Sequence, residues 1–361
     1  AIYDARKLGK PKMIILGIQH MFAMFGATIL VPILTGLDIS TTLLMAGLGT
    51  LLFHCITKFK VPAFLGSSFA FLGGYAAIKA FSPNDPNSML PYACLGVACA
   101  GLIYFILAAV IKAVGIEKVM RFFPPVVTGP IIIAIGLGLA PSAVSNCTTN
   151  WFLAVVALAV IVVFNIWGKG MAKIIPIILG LLISYGTGLV LYFISQANPD
   201  LIQNVPWLFS GGADANGVYQ PIFDFTSLNT ICDNISKGHI FGSEGLIGIP
   251  IHWDKTVFGG IDYSNGALIA SSIIAIVPIA FATMMEHIGD ICAISSTTGN
   301  NYIKDPGLHR TLVGDGLATT LASLFGGPAN TTYGENTGVL ALTRVYDPRV
   351  ISCLLYTSPS P

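Results

Sequence analysis

The sequence predicts an all-α polytopic membrane protein, and three observations carry that reading. Hydrophobic residues make up 54% of the 361 positions and charged residues 10%, with a mean hydropathy of +0.78. Water-soluble domains do not reach that composition. Apolar stretches of roughly 20 residues, the length that crosses a bilayer as a helix, recur along the chain. Lys and Arg gather in alternate loops, as they do on the cytoplasmic side of a membrane.

The first stretch, Ile14 to Leu34, follows Arg6, Lys7, Lys10 and Lys12. It is full length and lacks a small-residue cleavage site, so it reads as a span and not a leader. With the N-terminus inside, the second span (Thr41 to Thr57) delivers Lys58 and Lys60 to the cytoplasm, and the third (Pro62 to Ala80) runs outward. The fourth (Tyr92 to Val114) returns to Lys112, Lys118 and Arg121; the fifth (Val126 to Val144) and sixth (Trp151 to Trp167) lead to Lys169 and Lys173. The seventh is Ile174 to Ser195 and the eighth Ala267 to Ile288. Lys304 and Arg310 precede the ninth (Thr311 to Phe325), and Arg344 and Arg349 follow a short tenth (Thr331 to Thr343). Only Lys79, Lys237 and Lys255 fall outside. Asn198 to Asn265 is then a long external loop, rich in turn formers and carrying Asp200, Asp214, Asp224, Asp233, Glu244, Asp254 and Asp262.

A net charge of +1 gives no sign of a nucleic-acid partner. The seven cysteines, Cys55, Cys94, Cys99, Cys147, Cys232, Cys292 and Cys353, show no CxxC or metal spacing and read mostly as buried thiols. Cys147 and Cys232 both map outside, where a pairing is chemically open. The NIS triplet at Asn234 is a glycosylation pattern only. No metal, cofactor or nucleophile/base constellation is expected, and a membrane enzyme is disfavoured accordingly.

Two stretches place hydroxyls, an aromatic and glycine at a helix start inside the membrane. One is "VPAFLGSSFAFLGG", with Ser67, Ser68 and Phe69; the other is "NTTYGENTGVLALTR", with Thr331, Thr332 and Tyr333. A polar pair precedes each at a similar distance, Gln19-His20 and Glu286-His287. The charge-derived topology runs one stretch outward and the other inward, so the two units form an inverted repeat. Interrupted helices at matching places in inverted repeats point to a secondary transporter with its site at the midplane. A helix break in hydrocarbon frees N–H and C=O groups that are costly unless partnered, so it belongs where it lines a cavity or is covered by protein.

Carboxylates in a membrane are costly and mark function by default. Glu286 and Asp290 lie one turn apart on one helix face, where a proton or ligand can bridge them. Glu335 sits between Gly334 and Asn336 on the broken tenth helix. Asp315, in "VGDGLATT", is read as structural. Of the intramembrane histidines His20, His54 and His287, none has metal spacing, and "EHIGD" is not the HExxH of a zinc hydrolase. His20 reads as a packed, hydrogen-bonded contact rather than a proton carrier. Phe69, Phe71 and Tyr333 read either as core aromatics or, for one or two of them at the helix breaks, as faces that stack on a flat ligand.

These motifs, in order, give a resemblance. "QHMFAMFGATILVPILTG", "VPAFLGSSFAF", "FPPVVTGPIIIAIGLGLA", "EHIGD", "KDPGLHRTLVGDGLATTLASLFGG" and "NTTYGENTGVLALTRVYDPRV" resemble the nucleobase/ascorbate transporter (nucleobase:cation symporter) family. Glu335, Asn336, Gly338, Thr343 and Arg344 match its signature, and the leading Glu resembles the bacterial uracil permease branch. The resemblance implies two inverted seven-helix repeats forming a core and a gate domain, usually in a homodimer, with strand-like breaks in spans three and ten. It implies proton-coupled uracil import by alternating access across a bacterial inner membrane, N-terminus cytoplasmic. Glu286 and Glu335 are then side-chain contacts to uracil, Phe69 and Gly334 backbone contacts, Ala27 and Tyr333 pocket walls, and Asp290 with Glu286 the proton-coupling pair. Gln19, His20, Ser67, Ser68, Asn336, Gly338, Thr343 and Arg344 are motif positions with a structural part. Uracil offers two N–H donors and two carbonyl acceptors, which suit carboxylates and freed backbone amides respectively.

The implied domains are 1–122 and 266–351 as two halves of the core, 123–197 as half of the gate, 198–265 as an unusually long external loop, and 352–361 as a non-native tail. Four further helices of the family pattern are not in the sequence, and the chain as written is expected to bind substrate weakly and not to complete a transport cycle. The alternatives are a purine or xanthine permease of the same family and an anion transporter of the same architecture. Two glutamates at the pocket would repel an anion.

Overall fold

The ends of the helices follow from residues that satisfy orphan backbone groups. In this computed structural model, residues 2–119, 143–169, 176–214, 217–226 and 251–355 are described, with a few single positions between 130 and 141 and at 172. The fifth predicted span, Cys232 and Asn234 lie essentially outside them, as does the chain after Leu355. The chain divides into two compact units, Ala1–Ile135 with Pro250–Pro361, and Gly136–Ile249.

In the first unit, α1 (Lys10–Thr35) ends on Gly36, whose φ of 83° lets its N–H turn back to Pro32. α2 (Ile39–Ile56) begins at Asp38, whose carboxylate accepts the Thr41 N–H at 2.7 Å. Such a cap contributes about 1 kcal/mol. The third span is only half helical: β1 (Leu65–Ser67) leads through a 3₁₀ turn, Phe69–Phe71, into α3 (Leu72–Lys79). α4 (Leu90–Val114) is a full-length span.

The second unit pairs α5 (Trp151–Trp167) with α6 (Pro176–Ala197). α5 is capped by Asn150, which accepts from the Leu153 N–H at 3.0 Å and donates to Ser210 O at 2.8 Å. β2 (Ser210–Ala213) and β3 (Tyr219–Pro221) form an antiparallel hairpin. The expected external loop therefore carries structure: two short helical turns, Asp200–Asn204 and Pro206–Phe209, precede this hairpin.

Back in the first unit, the eighth span departs from expectation. It is α7 (Gly266–Ile276) and α8 (Ile279–Thr298), broken at Val277-Pro278, because proline has no N–H to continue the ladder. Its end lies well beyond the predicted Ile288, so Glu286 and Asp290 sit within α8 and not at its end. α9 (Leu308–Leu324) follows. The tenth span is again half helical, with β4 (Asn330–Thr332) entering α10 (Glu335–Thr343). α11 (Pro348–Leu355) follows, and Ser352 on it meets His54 Nδ1 at 2.9 Å. His54 Nε2 lies 2.9 Å from Ala63 O, so this histidine is a structural tie.

Hydroxyls inside the helices bond their own backbone. Thr35 donates to Val31 O, Thr50 to Ala46 O, Thr57 to Phe53 O, Ser295 to Ile291 O and Thr298 to Ile294 O. That satisfies them in hydrocarbon at little cost. Large apolar side chains face outward instead, among them Leu102 and Ile106 on α4 and Val155, Leu158 and Ile166 on α5. Four helical stretches among the described residues are long and apolar enough to span a bilayer: Ile39–Ile56, Pro86–Val114, Leu179–Ala197 and Gly266–Thr298. The start of the chain is fastened beneath α10, with Ile2 N–H donating to Arg344 O and Tyr346 N–H to Ile2 O, both at 2.8 Å.

α4 and α9 touch backbone to backbone at Gly101 and Gly316. A Cβ on Gly101 would lie 2.7 Å from Gly316 O, and one on Gly316 would lie 2.6 Å from Gly101 O. Glycine permits this approach, as small residues do between membrane helices. Gly316→Ala is therefore predicted to destabilise the chain by about 1–3 kcal/mol in detergent melting. Gly338→Ala, at a position with nothing within 4 Å, is predicted to leave the melting point unchanged or higher. Equal melting of the two variants would contradict this packing.

Candidate functional site

The two half-helical spans meet. β1 and β4 pair antiparallel with Leu65 opposite Thr332, Gly66 opposite Thr331 and Ser67 opposite Asn330. Two flanking bonds extend the ladder, Ser68 N–H to Ala329 O and Tyr333 N–H to Phe64 O, each 2.9 Å. Each strand then turns directly into a helix. The starts of the 3₁₀ turn at Phe69 and of α10 at Glu335 consequently flank the same crossing, with the positive end of each backbone dipole there.

Groups freed by the breaks are held by side chains. Thr50 Oγ1 accepts the Leu65 N–H at 3.1 Å, its own hydrogen going to Ala46 O at 2.8 Å. Thr319 donates to Asn330 O at 2.9 Å, and the Asp315 carboxylate accepts the Thr332 N–H at 2.9 Å. Asp315 and Thr319 are one turn apart on α9, so one face of that helix serves β4 as a neighbouring strand would. The Asn330 amide donates to Met45 O at 2.9 Å, reaching a place on α2 that only Gly49 leaves open.

Tyr333 is locked into the wall. Its hydroxyl donates to Ser67 O at 2.8 Å, with Thr28 Oγ1 and Ser67 Oγ each 3.3 Å away. Ser67 Oγ in turn donates to Thr28 O at 3.0 Å and Ala27 O at 3.3 Å. Ala27, Met24 and Phe64 pack around the Tyr333 ring. Phe69, Ala27, Glu286 and Asp290 are half-buried and Gly334 is exposed. A Cβ on Gly334 would lie 2.9 Å from Asp290 Oδ1, so this carboxylate lies against the backbone that opens α10.

Other motif residues brace the crossing. Buried Asn336 donates to His20 Nδ1 at 3.3 Å and His20 O at 3.4 Å, tying α10 to α1. Ser68 is buried in the ladder. Thr343 bonds Val339 O at 2.8 Å, and Arg344 ends α10 with φ 53°. Gly338 faces open space. The side chains of Gln19 and Glu335 lie outside the described residues, although Glu335 is placed at the first turn of α10.

Sequence reasoning passed over Thr28, Thr50 and Thr319, whose hydroxyls look unremarkable along a helix. It also read Asp315 apart from the site, whereas this carboxylate is fully buried and holds the strand that leads into it. Spacing could have found only the Asp315/Thr319 pair, four apart on one face. Among the described residues no cluster of His, Cys, Asp and Glu could hold a metal ion. The crossing brings two helix starts together beside the helix that carries Glu286 and Asp290. Gly66 is closely packed: a Cβ there would lie 2.6 Å from the Tyr333 ring. Gly66→Ala is predicted to cost about 1–3 kcal/mol by detergent melting. Tyr333→Ala is predicted to cost less in the Gly66→Ala background than alone; strict additivity would contradict the contact.

Residues 11–355 match the Permease family. Over 350 residues the chain is 38% identical to the uracil permease of Bacillus caldolyticus, spanning 94% of this chain and 68% of that protein. It is 36% identical over 357 residues to a probable uracil permease of Haemophilus influenzae, spanning 96% of this chain and 72% of that protein. Identity to a uracil permease of Escherichia coli is 30% over 347 residues, 93% of this chain and 67% of that one. Among solved structures, the transmembrane domain of a cyanobacterium bicarbonate transporter, BicA, matches with a TM-score of 0.50 at 14% identity, over 96% of this chain and 81% of that chain. That likeness is one of fold: a mostly helical transporter membrane domain. The relatives are permeases, proteins of transport and not of catalysis. With its apolar helices and broken spans, this multi-pass membrane chain belongs to the Permease family.

Proposed function

We propose that this chain is a proton-coupled uracil permease working by alternating access. The observation that carries the reading is the β1–β4 pairing, which sets two helix starts beside the Glu286 and Asp290 helix. Two N–H donors and two carbonyls edge the uracil ring, so Glu286 and Glu335 take the donors and the backbone at Phe69 and Gly334 takes a carbonyl. Tyr333 and Ala27 close the ring's faces. Such a site rejects an analogue that leaves a buried partner unmet. The relatives named as uracil permeases support the substrate.

Glu286 and Asp290 are one turn apart on α8, and in this reading they share or exchange the coupled proton. Neutralising the site then favours reorientation of the loaded core against a gate. The larger frame is a 7+7 inverted repeat, with 1–122 and 266–351 as core halves and 123–197 as half of the gate, in a bacterial inner membrane with the N-terminus cytoplasmic. A homodimer completes this frame. A purine or xanthine permease is the second reading, and Glu335 at the head of the signature favours uracil over it.

Labelled uracil bound to the purified chain is predicted to be displaced by unlabelled uracil and far less by xanthine; the reverse order would establish the second reading. In cells expressing the completed gene, uptake of labelled uracil is predicted to follow an inward proton gradient and to collapse with a protonophore. Asp290→Asn is predicted to bind uracil while losing the response to the gradient. An unchanged response would remove Asp290 from the coupling step.

A further inference from the structure

One group beside the site has no part in that account. His287 follows Glu286 on α8, is 2% exposed, and points its Nδ1 between Thr332 Oγ1 at 2.8 Å and Asp315 Oδ2 at 3.3 Å. Thr332 ends β4, and both its N–H and its hydroxyl are directed at Asp315 Oδ1, at 2.9 and 3.1 Å. The Thr332 hydroxyl hydrogen is therefore committed to the carboxylate, and its oxygen is left to accept. A bare Nδ1 would set a lone pair against both that oxygen and the carboxylate. Nδ1 must carry a hydrogen, which donates to Thr332 Oγ1. Nε2, on the opposite side of the ring, is buried with no hydrogen-bond partner among the described residues. The Phe53 ring stands edge-on to the imidazole, 6.4 Å between centroids.

We infer that His287 is a positioning residue: its Nδ1–H bridges α8 to β4, so that the helix bearing Glu286 and Asp290 keeps register with the helix start at Gly334. Three elements meet at this point. α9 holds β4 through Asp315, β4 leads through Tyr333 into Gly334, and α8 brings the carboxylates. Asp290 Oδ1 lies so near Gly334 that a methyl group there would crowd it, so a small slip of α8 along β4 changes the space in which a ligand sits. Misplacement of that kind weakens binding without unfolding the protein.

The two ring nitrogens provide the test. Asparagine places an N–H donor near the position of Nδ1, whereas glutamine places it near that of Nε2. Binding of labelled uracil, which rests on the proposed function, is measured on the chain in lipid nanodiscs for His287→Asn, His287→Gln and His287→Ala, with affinity and number of sites determined separately. Losing one buried hydrogen bond predicts about tenfold weaker affinity for Gln and Ala, with Asn within about threefold of the unsubstituted chain and the site number unchanged. Equal affinities of Asn and Gln, an unaffected Ala variant, or a loss confined to site number would each overturn the inference. A second readout needs no ligand: the ¹⁵N histidine spectrum, with His287 assigned from its absence in His287→Asn, is predicted to show the proton on Nδ1. A bare Nδ1 overturns the inference. If the unsubstituted chain binds no uracil, the uracil reading fails instead, and the spectrum alone then decides the bridge.

Discussion

The pairing of β1 with β4 is the interaction on which the rest of the structure depends. Two helices are broken in the interior of a membrane domain, where each unmet backbone group costs several kcal/mol. The breaks are stable because they are complementary: each strand supplies the other's ladder, and the remaining amides and carbonyls fall to Thr50, Asp315 and Thr319. Neither break has an independent solution. A change in one strand is felt in the other, and the site between them is a product of both halves of the first unit.

This constraint explains where the polar residues of a greasy chain are spent. Hydroxyls that bond only their own helix are neutral fillers, whereas those that also reach the crossing, such as Thr50, replace lost backbone partners. Glycine has two uses there. At Gly49 and Gly66 it leaves room for Asn330 and Tyr333, and at Gly334 it leaves room for the Asp290 carboxylate. At Gly101 and Gly316 it lets α4 and α9 approach closely and hold the platform on which β4 lies. The groups that the proposed function assigns to the ligand thus rest on a layer of fixed contacts, as a selective site requires.

Much of this was legible in the sequence, and the misses have physical causes. Spans one, two, four and six end close to the predicted places because hydropathy and caps such as Asp38 and Asn150 agree. Both helix breaks were legible from clustered hydroxyls and glycine, but their register was not, since pairing across 265 residues of separation (Gly66 to Thr331) leaves no local trace. The eighth span was cut short because its end is polar, "CAISSTT", and hydropathy cannot register that Ser295 and Thr298 bond back to their own helix. Asp315 is structural, as its sequence context suggested, but its partners were not legible: a buried carboxylate is defined by the donors around it, and those come from another element. His287 was visible as an intramembrane histidine, while the partner of each ring nitrogen was not.

The central claim is that the crossing of the two broken spans is the ligand site. A structure of the chain determined with uracil tests it most directly. The account predicts ring density between Phe69 and Gly334, one carbonyl facing the backbone amides of a helix start and an N–H edge facing Glu286. Density elsewhere, or a ring at the crossing with neither edge so placed, would contradict it.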